Sequence, residues 1–196
     1  RIQPHPDIHR LFCHEGPESR FYGRGSIARD DHTMYDVQSQ LFDQTIRDWR
    51  WTADPDLERI LRPALELHLE WMKDCFDPDD DGLYESYINT LPTDSVWYNG
   101  GGSAEESAYA YSAHLAAMDL ARRAGDAEAA ARHQARAAKI QRAMRKILWV
   151  KERGHFGLYV EQGGYRRVHA DAWTLSQFLP IDAGMTTPEE ALQALF

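Results

Sequence analysis

Two cysteines in 196 residues, Cys13 and Cys75, are too few for a disulfide framework. They either pair or stay reduced, and the sequence leaves both states open. No run approaches the roughly 18 uncharged apolar residues of a membrane span. The chain opens at Arg1 with no secretory leader pattern, so its compartment is not legible from that end. Positive charge is also in the minority. The 22 Lys and Arg stand against 31 Asp and Glu, a net charge of −9, and the arginines are scattered among acids. A nucleic-acid surface needs clustered bases on one face, so that class of partner is excluded. No P-loop, dinucleotide fingerprint or G-x-S-x-G elbow occurs. The nine histidines include no H-x-x-x-H or His-x-His pair within an expected helix, which removes a helix-borne zinc site.

What is present reads as helical hairpins. With 43% hydrophobic residues the chain can bury one core, and nothing divides it into two domains. Residues 1–32 show no periodicity and lead into a helix expected from Thr33 to Trp49. Asp54 then caps a second helix with Pro55 in its first position, where a missing N–H costs nothing. Leu57, Leu61, Ala64, Trp71, Met72 and Cys75 form its apolar stripe. A third helix starts at Ser103, with Glu106 completing an S-x-x-E capping box, and runs to about Arg123 with Tyr111, Leu115 and Met118 on one face. Gly125 ends it and Asp126 caps a fourth, whose inner face is Ala137, Ile140, Met144 and Ile147. FGLYVEQGGYRRVHA alternates around Gly163 and Gly164 as a short β-hairpin. Thr187, Pro188 and Glu190 begin a last helix by the same capping logic. The expected class is mainly α with one small β excursion. A tetratricopeptide-like array is the rival for residues 103–149, but no second copy appears at the required period.

The segment DPDDDGLYESYINTLPTDSVWYNGGGSAEESAYAYSAHLAAMDLARRAGD resembles the six-hairpin, (α/α)6-barrel glycoside hydrolases. It has an Asp-rich D-x-D-x-D-G-L loop, an acid before an aromatic, glycines, and then a helix of small and aromatic residues. It is similar in particular to the acid-bearing segment T-x-D-x-W-x-x-x-G-x-S-A-Y of the family that includes bile-acid β-glucosidase. Asp94, Trp97, Gly102, Ser103 and Ala104 recur in that order, although this chain reads T-D where that family has a residue between. GRGSIARDDHTMYDVQSQLFDQ, HADAWTLSQFLPI and TTPEEAL resemble barrel segments of bacterial polysaccharide-degrading enzymes. The resemblance covers about residues 20–195. It implies an (α/α) toroid of helical hairpins, a carbohydrate substrate, no cofactor, and a periplasmic or secreted bacterial setting. Six hairpins need roughly twice this length, so residues 1–196 are expected to form one domain of this type or the C-terminal part of a larger catalytic domain.

Glycoside hydrolysis needs two carboxyls flanking the scissile bond, one protonated and one ionised. Asp94 is the candidate general acid. Trp97 and Tyr98 beside it could raise its pKa by desolvation and give a sugar an apolar platform, while Gly100 to Gly102 would let backbone pass close to the ligand. Asp171, next to His169 and Trp173, and Glu161 on the hairpin are the candidate partners. A salt bridge to Arg166 or Arg167 explains Glu161 equally well, and Asp171 could cap the helix that follows Ala170. His32 and Tyr35 could bind sugar hydroxyls. Glu105 and Glu106 read as helix-start acids.

Asp77, Asp79 and Asp81 copy the first half of a calcium loop, but its twelfth position is Ile88 rather than Glu. Two other functions remain open. One is a noncatalytic helical domain that binds glycan or protein through the same aromatic mouth. The other is a polysaccharide lyase on a related toroid, using Tyr35 with His32.

Overall fold

The computed structural model describes residues 36–89 and 97–196, with side chains from 37 to 85 and from 101 onward. Helices α1 (Asp36–Thr52) and α2 (Pro55–Phe76) form a first hairpin, and α3 (Ala104–Arg123) and α4 (Ala127–Ala143) a second. A smaller pair, α5 (Thr174–Asp182) and α6 (Pro188–Leu195), follows. The expected start of the first helix at Thr33 lies outside the described residues.

The helix boundaries follow local chemistry. Asp54 accepts the Asp56 N–H at 2.9 Å, Ser103 Oγ the Glu106 N–H at 3.2 Å, and Asp126 the Ala129 N–H at 3.0 Å. Each satisfies a donor that the first turn of a helix leaves without a partner. Gly125 takes φ +74° between α3 and α4, the left-handed geometry a glycine adopts at least cost. At α6 both halves of the capping box form between Thr187 and Glu190. The last turn of α4 widens into a five-residue π segment, Met144–Leu148, whose two ends are both fully buried.

Around α3 the other elements assemble. It packs against α1, α2, α4 and α5, and its first eight residues are all buried. Met72, Phe76, Ile140, Met144, Leu148 and Phe156 fill the larger core beside it. Ile46, Trp49, Leu61, Leu65 and Leu69 fill a second between α1, α2 and α3.

The β part is larger than the sequence suggests. Strands β1 (Tyr84–Asn89), β2 (Trp97–Ser103), β5 (Tyr159–Glu161) and β6 (Val168–His169) make an antiparallel sheet in the order β1-β2-β5-β6. Strands β3 (Trp149–Val150) and β4 (His155–Phe156) pair separately. The hairpin around Gly163 and Gly164 forms as expected, but the stretch before α3 is a strand rather than a loop. Its glycines also serve another purpose. A Cβ on Gly101 would lie 2.0 Å from the Val160 carbonyl oxygen, and one on Gly102 2.8 Å from Leu83 Cβ. At these two positions the missing side chain makes room for β5 and Leu83, where sequence reading expected room for a ligand. Three glycines hide the β signal because they carry no alternation; pairing with β5 supplies it.

His68 shows how closed the α1–α2–α3 seam is. It is 3% exposed and stacks on Phe42 with ring centroids 4.1 Å apart. Its Nδ1 lies 3.0 Å from Gln38 Nε2, an amide donor that requires a bare ring nitrogen. The ring is therefore neutral, and burial pushes its pKa down to about 3.

Two outcomes follow. Gly101→Ala lowers the unfolding free energy, measured by urea denaturation, by about 2 kcal/mol or more, because the atom in its way is backbone and cannot swing aside. For His68 the folded pKa lies below the unfolded one. Its contribution is whole above about pH 6.5 and is lost toward pH 3, at up to about 1.4 kcal/mol per unit. Urea denaturation at pH 7, 6, 5 and 4 measures that slope, which His68→Leu reduces.

Candidate active site

Strand β2 delivers the chain into α3, and Ser103 Oγ and the Ala104 N–H anchor the junction. The Ala104 N–H donates to the Leu158 carbonyl at 3.0 Å, and Ser107 Oγ accepts the Tyr84 N–H at 2.9 Å. The start of α3 is thus fixed to both β1 and the turn before β5. Two acids follow at once. Glu105 is 2% exposed and Glu106 is fully enclosed, and Glu106 Oε2 accepts a hydrogen bond from Ser39 Oγ of α1 at 3.0 Å. The Ser103 half of the expected capping box forms, while the Glu106 carboxylate reaches across to α1. These acids belong to the interior, a placement their reading as helix-start charges missed. The available signal was the run of small residues around them, which leaves α3 without a polar face.

Of the residues singled out in the sequence, Asp94, His32 and Tyr35 lie outside the described residues, as does Cys13. Trp97 and Tyr98 are described by backbone alone and open β2, paired with Asn89 and Ile88. The acids Glu161 and Asp171 are in view. Glu161 ends β5 opposite Gly101, about 13 Å of strand from the level of Trp97 at roughly 3.3 Å per residue. Its carboxylate accepts from Arg167 at 3.0 Å and sits 3.2 Å from His169 Nε2. The Arg167 side chain, its backbone N–H and His169 together hold the Glu161 pKa down at about 2, so the group is ionised. His169 stacks on Tyr159 at 4.1 Å. Asp171 is 91% exposed, with Arg153 at 3.9 Å. It does not cap the next helix, because α5 starts at Thr174 from Trp173, whose N–H donates to Ser176 Oγ at 3.0 Å. Trp173 is half-buried at that corner. The structure brings Glu161 and His169 together and leaves Asp171 on a separate, solvent-facing turn.

Beside Glu161 lies the aspartate loop, whose Asp79 and Asp81 line one small cavity with Glu161 and Arg166. Asp77 is buried and accepts the Gly82 N–H at 3.3 Å, and Asp81 accepts the Leu83 N–H at 2.8 Å. Oxygens of Asp77, Asp79 and Asp81 lie within 4.8 Å of one another, close enough to ligate one cation. Glu85 of β1 lies near them, outside the trio whose oxygens are close enough to share a cation. It is 4% exposed, accepts from Gln162 Nε2 at 2.9 Å, and is pushed up to about 7 by burial, then by Asp79, Asp81 and Asp77. Counting from Asp77, Glu85 holds the ninth position of the loop, a ligand position in EF-hands, where sequence reading tested only the twelfth. Positive charge already offsets part of the cluster. Lys73 approaches Asp77 at 3.7 Å and Arg166 approaches Asp81 at 3.3 Å.

Helical hairpins around an enclosed inner helix, with a small sheet at its start, have counterparts among solved structures. A glycoside hydrolase family 78 rhamnosidase of Bacillus sp. GL1 superposes with a TM-score of 0.62 at 15% identity over 81% of this chain. A rhamnosidase from Klebsiella oxytoca with rhamnose bound superposes with a TM-score of 0.57 at 23% identity over 85%. The chain carries part of a six-hairpin glycosidase fold. Residues 101–196 also match the model of the mannosylglycerate hydrolase MGH1-like glycoside hydrolase domain. The chain spans 16% and 30% of the two rhamnosidase structures, so the six-hairpin fold is present here in part. No curated protein sequence matches it.

Arg167→Ala should return Glu161 toward the ordinary carboxylate range near 4.5. Carboxyl carbon NMR across pH 2 to 6 reads the change, and an unmoved midpoint would show that Arg167 does not set the charge.

Proposed function

We propose that this chain is part of the catalytic domain of a glycoside hydrolase that cleaves plant or microbial oligo- or polysaccharides by carboxylic acid and base catalysis. The observation that carries the reading is the match of residues 101–196 to a glycoside hydrolase domain. That match begins within β2, seven residues after Asp94. In this reading Asp94 protonates the leaving oxygen, with Trp97 and Tyr98 as the apolar platform. Glu161 or Asp171 is the second carboxylate. The ionised state of Glu161 suits a base, and its bonds to Arg167 and His169 must be released for it to act. The exposure of Asp171 leaves it open to water and to segments outside this chain. Sugars of the kinds named for the relatives, rhamnosides and mannosylglycerate, are the first substrates to assay. A periplasmic or secreted setting belongs to the same reading.

Asp94→Asn in the full-length protein should lower turnover on aryl glycosides by at least about 10³-fold while sugar binding persists. Wild-type protein that binds sugar without releasing product would instead favour the noncatalytic glycan-binding function. Products absorbing in the ultraviolet would indicate a lyase.

Calcium at Asp77, Asp79 and Asp81 is the cation this reading favours, since the donors are all hard oxygens. Binding must displace Arg166 from Asp81. Added Ca²⁺ at about 100 times its dissociation constant then stabilises the fold by about 2.7 kcal/mol. Thermal denaturation with Ca²⁺ and with EDTA measures this, and identical curves would remove the site.

A further inference from the structure

The two long hairpins meet over a chain of three groups, two of them buried. Glu66 of α2 has its Oε1 2.8 Å from His133 Nε2 of α4, and the Nδ1 atoms of His133 and of His114 on α3 lie 3.0 Å apart. His114 and His133 are 5% and 2% exposed. A cavity of about 370 Å³ adjoins them and gives water a path to the pair.

Hydrogen-bond chemistry limits how many protons this chain holds. A carboxylate oxygen at 2.8 Å needs a donor, so His133 Nε2 carries a hydrogen. Arg132 cannot replace it, since its contact to that nitrogen is 3.5 Å and its guanidinium donates to the other Glu66 oxygen at 3.0 Å. The Nδ1 to Nδ1 contact then holds one hydrogen. Two lone pairs, or two N–H groups, facing each other at 3.0 Å repel. His114 Nε2 is buried without a hydrogen-bond partner among the described residues. The two rings can therefore carry three hydrogens while the contact stays closed. A fourth makes both rings cationic and sets N–H against N–H.

We propose that Glu66, His133 and His114 form an acid-sensitive latch, which holds the α1–α2 hairpin against α3–α4 while the two rings share one hydrogen and opens reversibly when both are protonated. The charges facing the pair fit this role. From α4, Arg132 and Arg136 add positive charge, and from α2 Lys73 adds more, with His68 close by. Glu66, Glu70 and Asp74 of α2 oppose them at the rim of the cavity. Glu66 alone touches a ring, so one cation is accommodated and a second is not. Burial, then the charges of His133, Arg136, His68 and Arg132, pushes the His114 pKa down to about 3. The closed latch thus resists the last proton until well below neutral pH.

The test is amide hydrogen exchange, with ¹⁵N-histidine NMR, from pH 7.5 to 4 in the His68→Leu background, which removes the other buried ring. The result expected is loss of protection at the facing turns of α2 and α4 with a two-proton dependence. The centre of α3 stays protected, and the histidine nitrogens at neutral pH show a single shared hydrogen. His114→Gln should make seam protection independent of pH, because an amide accepts or donates without charge. If that variant does not fold, Glu66→Gln serves instead. Loss of the anion makes a cationic ring costlier in the closed seam, and opening moves to higher pH by about one unit. Protection unchanged down to pH 4, or both variants opening where the parent does, would overturn the latch.

Discussion

Helix α3 begins without a solvent face, and the rest of the structure accommodates that constraint. Ala104, Ala108, Ala110, Ala113, Ala116, Ala117 and Ala121 keep its surface thin, so that α1, α2, α4 and α5 can all approach it. Helix axes come within 8–10 Å only where the side chains between them are small. A larger residue at any of these alanines would have to displace a neighbouring helix. The same crowding extends to the sheet, where Gly101 and Gly102 let β2 lie against β5 and Leu83.

Where α3 is enclosed, its polar residues have no water. Each must find a partner within the protein or change its protonation. Glu106 bonds to Ser39, Ser107 takes the Tyr84 N–H, and His114 meets His133. Acids shift with burial: Glu85 rises to about 7, and Asp77 is raised as well. Less enclosed acids behave in the opposite way, since Asp80 and Glu161 are drawn down by basic partners. Burial therefore raises the pKa of Glu85 and Asp77, while basic partners keep Asp80 and Glu161 ionised.

The fold places its chemistry at one end of α3. The sheet, the aspartate loop and the acids at the helix start all gather where β2 enters α3, while the histidine chain sits at mid-helix on the side facing α2 and α4. Charged pairs tie the outer surface together, as between Arg62 and Asp126 at 2.6 Å and between Arg145 and Glu190 at 2.6 Å. Such exposed pairs add little individually.

Local chemistry in the sequence was enough to mark the starts of α2, α3, α4 and α6. Asp54–Pro55, Ser103, Gly125–Asp126 and Thr187–Pro188 mark boundaries with groups that act within four residues, so each was legible without the fold. The hairpin at Gly163–Gly164 was legible for the same reason, and the D-x-D-x-D-G-L and T-D-x-x-W motifs pointed to the glycosidase architecture. Strand β2 was not legible, because a glycine-rich segment becomes a strand only when β5 lies beside it. Nor was the interior placement of Glu105 and Glu106, since helix-start acids look alike whether the helix end faces water or protein. Glu85 came to lie near the aspartates, and His133 met His114 and Glu66 across 19 and 67 residues of chain respectively. Sequence alone determined where α2, α3, α4 and α6 start and where α3 stops. Which acids and histidines share an environment was decided only when α3 was enclosed, because that depends on distances between segments far apart in the chain.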